Sequence, residues 1–237
     1  MTLPPLPWES RSRKAPARRT LSQAAIVDAA VKVLDQEGVA ALSMRRVAQE
    51  LGTGAASLYA HVANRDELEA LVFDRISEEV PVPTVRSASW REDLHQLLRD
   101  TVGVLRRHPG AASLAMGRVP LGPNALARTE VMVALLKAGG VSDRMAGFAV
   151  DLLYLYVTAT ALEESMYLQR GQTEVSMREY FAQVSAYIRA LPVSRFPHLV
   201  ALAGPIVEGG GDERFDLGVE VLISGLVHAR QSTEAPR

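Results

Sequence analysis

The sequence has no cysteine among its 237 residues, which excludes disulfides, zinc ribbons and thiol nucleophiles and is compatible with a reducing cytoplasm. It has almost no net charge, and at −1 the whole molecule carries no electrostatic mark of a nucleic-acid partner. It lacks convincing strand alternation, internal repeats, a glycine-rich phosphate loop after a strand and a nucleophile elbow. The histidines, His61, His95, His108, His198 and His228, are scattered, with no pair at the i, i+4 spacing of a helical metal site. Neither an enzyme nor a metal or cofactor is therefore expected. Met1 to Trp8 holds Pro4, Pro5 and Pro7 and no apolar core of the secretory kind. The most apolar long stretch, Ala146 to Leu162, contains Asp151 and falls short of the roughly 20 apolar residues a bilayer span needs, so it reads as a buried helix. A cytoplasmic protein without membrane contact is the expectation.

What is present describes an ordinary globular chain, 48% apolar and 22% charged, long enough for a small domain plus a medium one. Charge is unevenly placed. Arg11, Arg13, Lys14, Arg18 and Arg19 crowd the first residues against a single acid, Glu9. Such an arm, residues 1–20, suits phosphate contact or is simply a solvated tail, and is expected to be disordered without DNA.

Apolar spacing then turns helical. Ser22 is placed to cap a first helix whose stripe is Ile26, Ala29, Ala30, Val33 and Leu34, closed by Gly38 in a left-handed conformation. Ser43 opens a short helix with Met44, Val47, Ala48 and Leu51 on one face. After Gly52-Thr53-Gly54 a third, from Ala55 to Val62, turns Leu58 and Val62 inward. Two short helices joined by a tight glycine turn form a helix-turn-helix. Asn64 caps a fourth helix that Pro81 and Pro83 stop. Longer helices are expected from Ser89 to His108, Asn124 to Ala138, Ser142 to about Arg170, Ser176 to Leu191, Pro197 to Ala203 and Glu213 to Arg230. The fold class is all-α.

The residues Ile26-x-x-Ala29-Ala30, Gly38, Leu42-Ser43-Met44-Arg45-Arg46-Val47-Ala48, Leu51-Gly52 and Ser57-Leu58-Tyr59-x-His61-Val62-x-Asn64-Arg65 keep fixed spacings. Together they make residues 21–67 resemble the DNA-binding domain of the tetracycline-repressor (TetR) family. A helix lying in the major groove needs a small or polar outer side, and Thr53, Gly54, Ala55, Ser57, Tyr59 and His61 supply one. The resemblance implies that Arg45, Thr53, Ala55, Ser57, Tyr59, His61 and Arg65 hold DNA-contacting positions. Arg46 lies about 100° around the helix from Arg45 and reads as a solvated neighbour. With Gly54-Ala55-Ala56 offering no long reader, base preference falls to Arg45, thymine-methyl contacts and DNA shape.

Residues 68–237 resemble the effector-binding and dimerisation domain of the tetracycline repressor subset, through Pro109-Gly110-Ala111, Gly117-Arg118-x-Pro120, Leu162-Glu163-Glu164 and the run Phe215 to Leu226. The last helix is apolar on more than one side, and Gly218, Ser224 and Gly225 leave room for another helix. This predicts a homodimer built on a four-helix bundle with the helix at 142–170, matching an inverted-repeat operator in double-stranded DNA. Candidate ligand-lining residues are Leu114, Met116, Leu121, Met132, Leu135, Tyr154, Thr158, Glu163 and Tyr167. Glu163 matches an effector-site acid of the tetracycline repressor, whereas Leu114 stands where that protein has a metal-binding histidine. The resemblance therefore implies a largely apolar small-molecule effector rather than a metal–tetracycline complex. The implied function is a ligand-released repressor; the competing reading is an activator or nucleoid-type protein with the same motif.

Overall fold

The computed structural model describes residues 21–171 and 173–233, with 174 and 229–233 described by their backbone only. The basic residues Arg11, Arg13, Lys14, Arg18 and Arg19 lie outside the described residues. All regular structure among those described is helical.

The N-terminal unit is α1 (Gln23–Glu37), α2 (Met44–Glu50) and α3 (Ala55–Leu58), with a short 3₁₀ turn at Val39–Ala41. Its ends are set by short polar side chains. Ser22 accepts from the Ala25 N–H at 3.2 Å, and Ser43 accepts from that of Arg46 at the same distance. Each satisfies an otherwise unpaired donor of a first turn. Gly38 closes α1 at φ +80°, but with ψ 175° its backbone is extended rather than left-handed helical as expected, a conformation open essentially to glycine alone. α3 is a single turn ending at Leu58, shorter than its apolar spacing predicts. Ile26, Ala30, Val33, Leu34, Leu42, Val47, Ala48, Leu58 and Val62 make its core.

α4 (Arg65–Ser77) is capped by Asn64, whose side chain accepts from Glu67 at 2.8 Å. One side of α4 packs on α1, and the other meets the helices that follow. Those are α5 (Trp90–Arg107), α6 (Ala111–Ala115), α7 (Pro123–Ala138), α8 (Asp143–Gln169), α9 (Glu174–Arg189), α10 (Pro197–Ala201) and α11 (Gly211–Thr233). α6 has no counterpart in the sequence reading, since its five residues show no period and no proline or side-chain cap opens it, as Pro197 opens α10. α9 begins two residues earlier than expected because Thr173, not Ser176, is its cap; Ser176 closes the reciprocal half of the capping box. α5, α7, α8 and α11 surround a core of Leu94, Leu97, Leu98, Leu135, Leu136, Leu153, Val157, Phe215, Val219 and Ile223.

α8 and α11 each carry a second apolar stripe on the outside. On α8 it is Phe148, Leu152, Leu155 and Met166; on α11 it is Leu217 and Val221. By length and apolar composition alone, 27-residue α8 could cross a bilayer, contrary to the shorter stretch marked out from sequence. Its inner stripe packs in this chain's core instead. The small residues of α11 have mixed uses. A Cβ on Gly218 would overlap the Tyr156 hydroxyl, so this glycine serves packing inside the chain, and Ser224 is held by Arg91. Gly225 has open space where a Cβ would stand.

Candidate functional site

The two short N-terminal helices cross with Val47, Ala48 and Leu58 inside and a polar outer side. There Arg45, Ser57 and Tyr59 are exposed, and Thr53, Ala55 and His61 are half-buried. Tyr59, at 55% exposure, has its phenol in solvent rather than in the core. No hydrogen bond or ion pair to another described residue holds Arg45, so its guanidinium is free to reach a partner. Arg46 differs from its sequence reading. It is no solvated neighbour but is clamped by Glu37, Nε to Oε1 at 2.9 Å, and by Glu50, Nη2 to Oε2 at 3.0 Å. Glu37 foremost, and then Glu50, raises its pKa.

Arg45 is the side chain here with the reach for a bidentate base contact. Replacing it with alanine is expected to relax preference at one symmetric base pair of each half-site, by about 1–3 kcal/mol. Binding measured across a panel of single-substituted duplexes checks this, and an equal loss on every duplex would assign Arg45 to phosphate instead.

Arg65 is not free. Its Nε donates to Glu69 Oε1 at 2.7 Å, and Glu69 is buried. The second oxygen of Glu69 accepts from Arg118, in the loop between α6 and α7. One carboxylate thus ties the start of α4, beside the candidate DNA face, to a loop of the C-terminal half. A second tie lies at the C-terminal end of α1. His108, buried at the end of α5, meets Asp35 through Nδ1 at 2.8 Å and Glu79 through Nε2 at 3.2 Å. Burial pushes the Glu79 carboxyl up, but hydrogen bonds from His108 and Arg107 outweigh it and hold the pKa below its ordinary value. Next to His108, Gly110 lies so close to Leu34 and Val39 that a Cβ would overlap Leu34.

The expected pocket region is divided, among the described residues, between two separate cavities. The larger, about 580 Å³ and open to solvent, runs along α8 between Met116, Tyr156, Thr160, Glu163, Met166, Tyr167 and Arg170. The smaller, about 220 Å³ and more enclosed, lies against α4 and the 116–122 loop, lined by Phe73, Asp74, Leu114, Arg118, Leu121, Ala125 and Tyr154. The nine candidate ligand residues therefore do not all line one cavity. Met116, Glu163 and Tyr167 border the first cavity; Leu114, Leu121 and Tyr154 border the second. Met132, Leu135 and Thr158 border neither, because each points into the helix packing; Leu135 and Thr158 are fully buried.

Sequence reading missed three polar residues of this region, Glu69, Asp74 and Arg128, and gave Arg118 a place in a motif but no role. Asp74 projects from α4 onto the start of α7, where its Oδ1 accepts from the Asn124 and Ala125 N–H groups, both at 3.0 Å. Arg128 follows one turn later on α7 and is buried. A signal for it existed. Ala125, Arg128, Met132 and Leu135 share one helical stripe, and a charge in an apolar stripe marks a polar contact or a site.

This arrangement matches known regulators. Residues 26–70 fit the family model for bacterial regulatory proteins of the tetR family, and residues 82–230 fit the tetracyclin repressor-like C-terminal domain. An HTH-type transcriptional regulator of Saccharopolyspora erythraea is 36% identical over 92% of this chain and 90% of its own. The HTH-type transcriptional repressor DrrR1 of Streptomyces coeruleorubidus is 31% identical over 97% of this chain and 87% of its own. Among solved structures, apo ActR of Streptomyces coelicolor superposes with a TM-score of 0.81 at 44% identity, covering 92% of this chain and all of that one. ActR has also been crystallised with actinorhodin, in a structure that matches at 45% identity with the same TM-score, over 89% of this chain and 97% of that one. With a helix-turn-helix unit followed by the larger helical domain of that group, the chain belongs to the TetR family of bacterial transcriptional regulators.

Proposed function

We propose that this regulator is a repressor that binds an inverted-repeat operator as a homodimer and leaves it when a small molecule enters the C-terminal half. Arg45, Thr53, Ala55, Ser57, Tyr59, His61 and Arg65 form its DNA face. The outer stripes of α8 and α11 pair with those of a second copy. Repression is consistent with the relative DrrR1, and ligand response with ActR's complex with actinorhodin. The observation that carries the release step is the shared carboxylate of Glu69. Arg118 is a wall of the smaller cavity and Arg65 adjoins the DNA face, and both hold the same side chain. A ligand that draws Arg118 toward itself alters the hold on Arg65 and the tilt of α4, so it binds one state better than the other and shifts the equilibrium.

Selection of duplexes from a random pool by the purified protein tests the first half. An enriched inverted repeat, bound in a discrete salt-sensitive complex, is expected; unselective coating contradicts the reading. The second half is tested by screening apolar antibiotics, dyes and lipids for release of the selected duplex. In a Glu69→Gln variant, duplex affinity is expected to stay within about threefold of the parent, while release needs at least about fivefold more of the active compound. Unchanged release would remove Glu69 from the coupling.

A further inference from the structure

We propose that the effector carries a negative group, which the buried guanidinium of Arg128 receives. This rests on the ligand-responsive reading above and names the chemistry of the ligand. Arg128 is 4% exposed, and arginine is almost never so buried without a partner. Yet among the described residues no carboxylate lies within ion-pair distance of it and no acceptor within hydrogen-bond distance. The opposing groups whose field it feels are Asp74 and Tyr154. Neither bonds to it. Asp74 spends Oδ1 on the N–H groups of Asn124 and Ala125, and Oδ2 on the Asn124 side-chain amide at 3.1 Å. The Tyr154 hydroxyl donates to the Ala115 carbonyl at 3.2 Å.

Both of those residues are walls of the 220 Å³ cavity, along with the apolar Phe73, Leu114 and Leu121. Arg128 is not itself a wall of that cavity, but it follows Ala125, which is, by one turn of α7, so a fixed positive charge stands behind a mostly apolar lining whose own cation is Arg118. Arginine does not shed its proton, so burial leaves a charge largely stripped of water with no counter-ion against it. A carboxylate on a compact apolar body satisfies these demands together. Its oxygens accept from the guanidinium in charge-assisted bonds, and its body fills the apolar wall. The sequence-based expectation of a largely apolar effector then describes only the body of the molecule.

The test titrates the full-length protein calorimetrically with naphthoate, naphthylacetate and anthraquinone carboxylate, each beside its primary amide. At least one acid is expected to bind about tenfold or more tightly than its amide, and in Arg128→Met that preference is expected to fall below about threefold. The ligand-free Arg128→Met protein is expected to melt above the parent, because an unpaired charge gives way to an apolar chain of similar length. Four results would each overturn the proposal: no acid binding better than its amide, no binding at all, a preference that survives in Arg128→Met, or a variant that melts lower or fails to fold. The last means that protein groups already balance the guanidinium. Failure of the ligand-released repressor reading looks different, as no compound of any charge would then release the selected duplex. A neutral compound that releases it equally from parent and Arg128→Met keeps that reading and defeats this one.

Discussion

A chain carrying Leu155→Glu and Val221→Glu is expected to sediment as a monomer and to bind its operator about a thousandfold more weakly at the same salt, falling toward nonspecific affinity. Both residues are well exposed and sit in outer stripes, Phe148-Leu152-Leu155 on α8 and Leu217-Val221 on α11. These helices pack against each other inside the chain, so the two stripes adjoin. Neither stripe is covered by another part of the described chain. Contiguous apolar surface of this kind marks an association face, and a two-fold partner would cover both stripes with their own copies. Charges at the centre of such a face must lose water without gaining partners, while the core beneath, Leu153, Val157, Val219 and Ile223, is untouched. The monomer should therefore stay folded, as helical circular dichroism will show. Specific affinity should collapse because one recognition helix reads one half-site. A dimer of unaltered affinity would place the interface elsewhere.

The second large effect concerns stability. Asp74→Ala is expected to cost about 3 kcal/mol, read as a lowered melting temperature at fixed protein concentration. Asp74 is a helix cap supplied from another helix. Gly122, just before α7, offers no side chain for capping, and one would not fit, since a Cβ there would overlap the Asp74 carboxylate. Without Asp74 the N–H groups of Asn124 and of buried Ala125 lose their acceptor, and Arg128 loses an opposing charge whose field it feels. A loss below about 1 kcal/mol would mean that these donors find another acceptor with little rearrangement. Asp74 and Arg128 thus differ in sign: removal of the first destabilises the free protein, and removal of the second stabilises it.

The parts legible in the sequence are those with local causes. Ser22, Ser43, Asn64 and Ser142 each accept a bond from the backbone N–H three residues on, so the starts of α1, α2, α4 and α8 fell where the cap residues stand. The fixed spacing from Ile26 to Arg65 carried the helix-turn-helix for the same reason. α6 and the 3₁₀ turn escaped because they are too short to repeat and carry no opening mark such as the proline at the start of α10. The effector region was legible only as composition. Leu135 and Leu121 are the same residue type, yet one is fully buried in α7 and the other stands 70% exposed in a loop. Nothing local separates them. The pairings that organise this region join residues about fifty positions apart, Glu69 with Arg118 and Asp74 with Asn124, and pairings at that range leave no periodic trace.

The position of α4 bears on any attempt to build hybrid regulators. Its apolar residues Leu68, Val72 and Ile76 complete one core, while Glu69 and Asp74 are wired to Arg118 and to the start of α7. A graft of a foreign reading head cut at residue 67 would hand α4 to the recipient without the hydrophobic surface it grew up against. A cut in the Pro81–Ser89 connector keeps that surface but strands two buried acids among strangers. Interchangeable modules in this protein need a transplanted Arg118 and Asn124 to travel with the head.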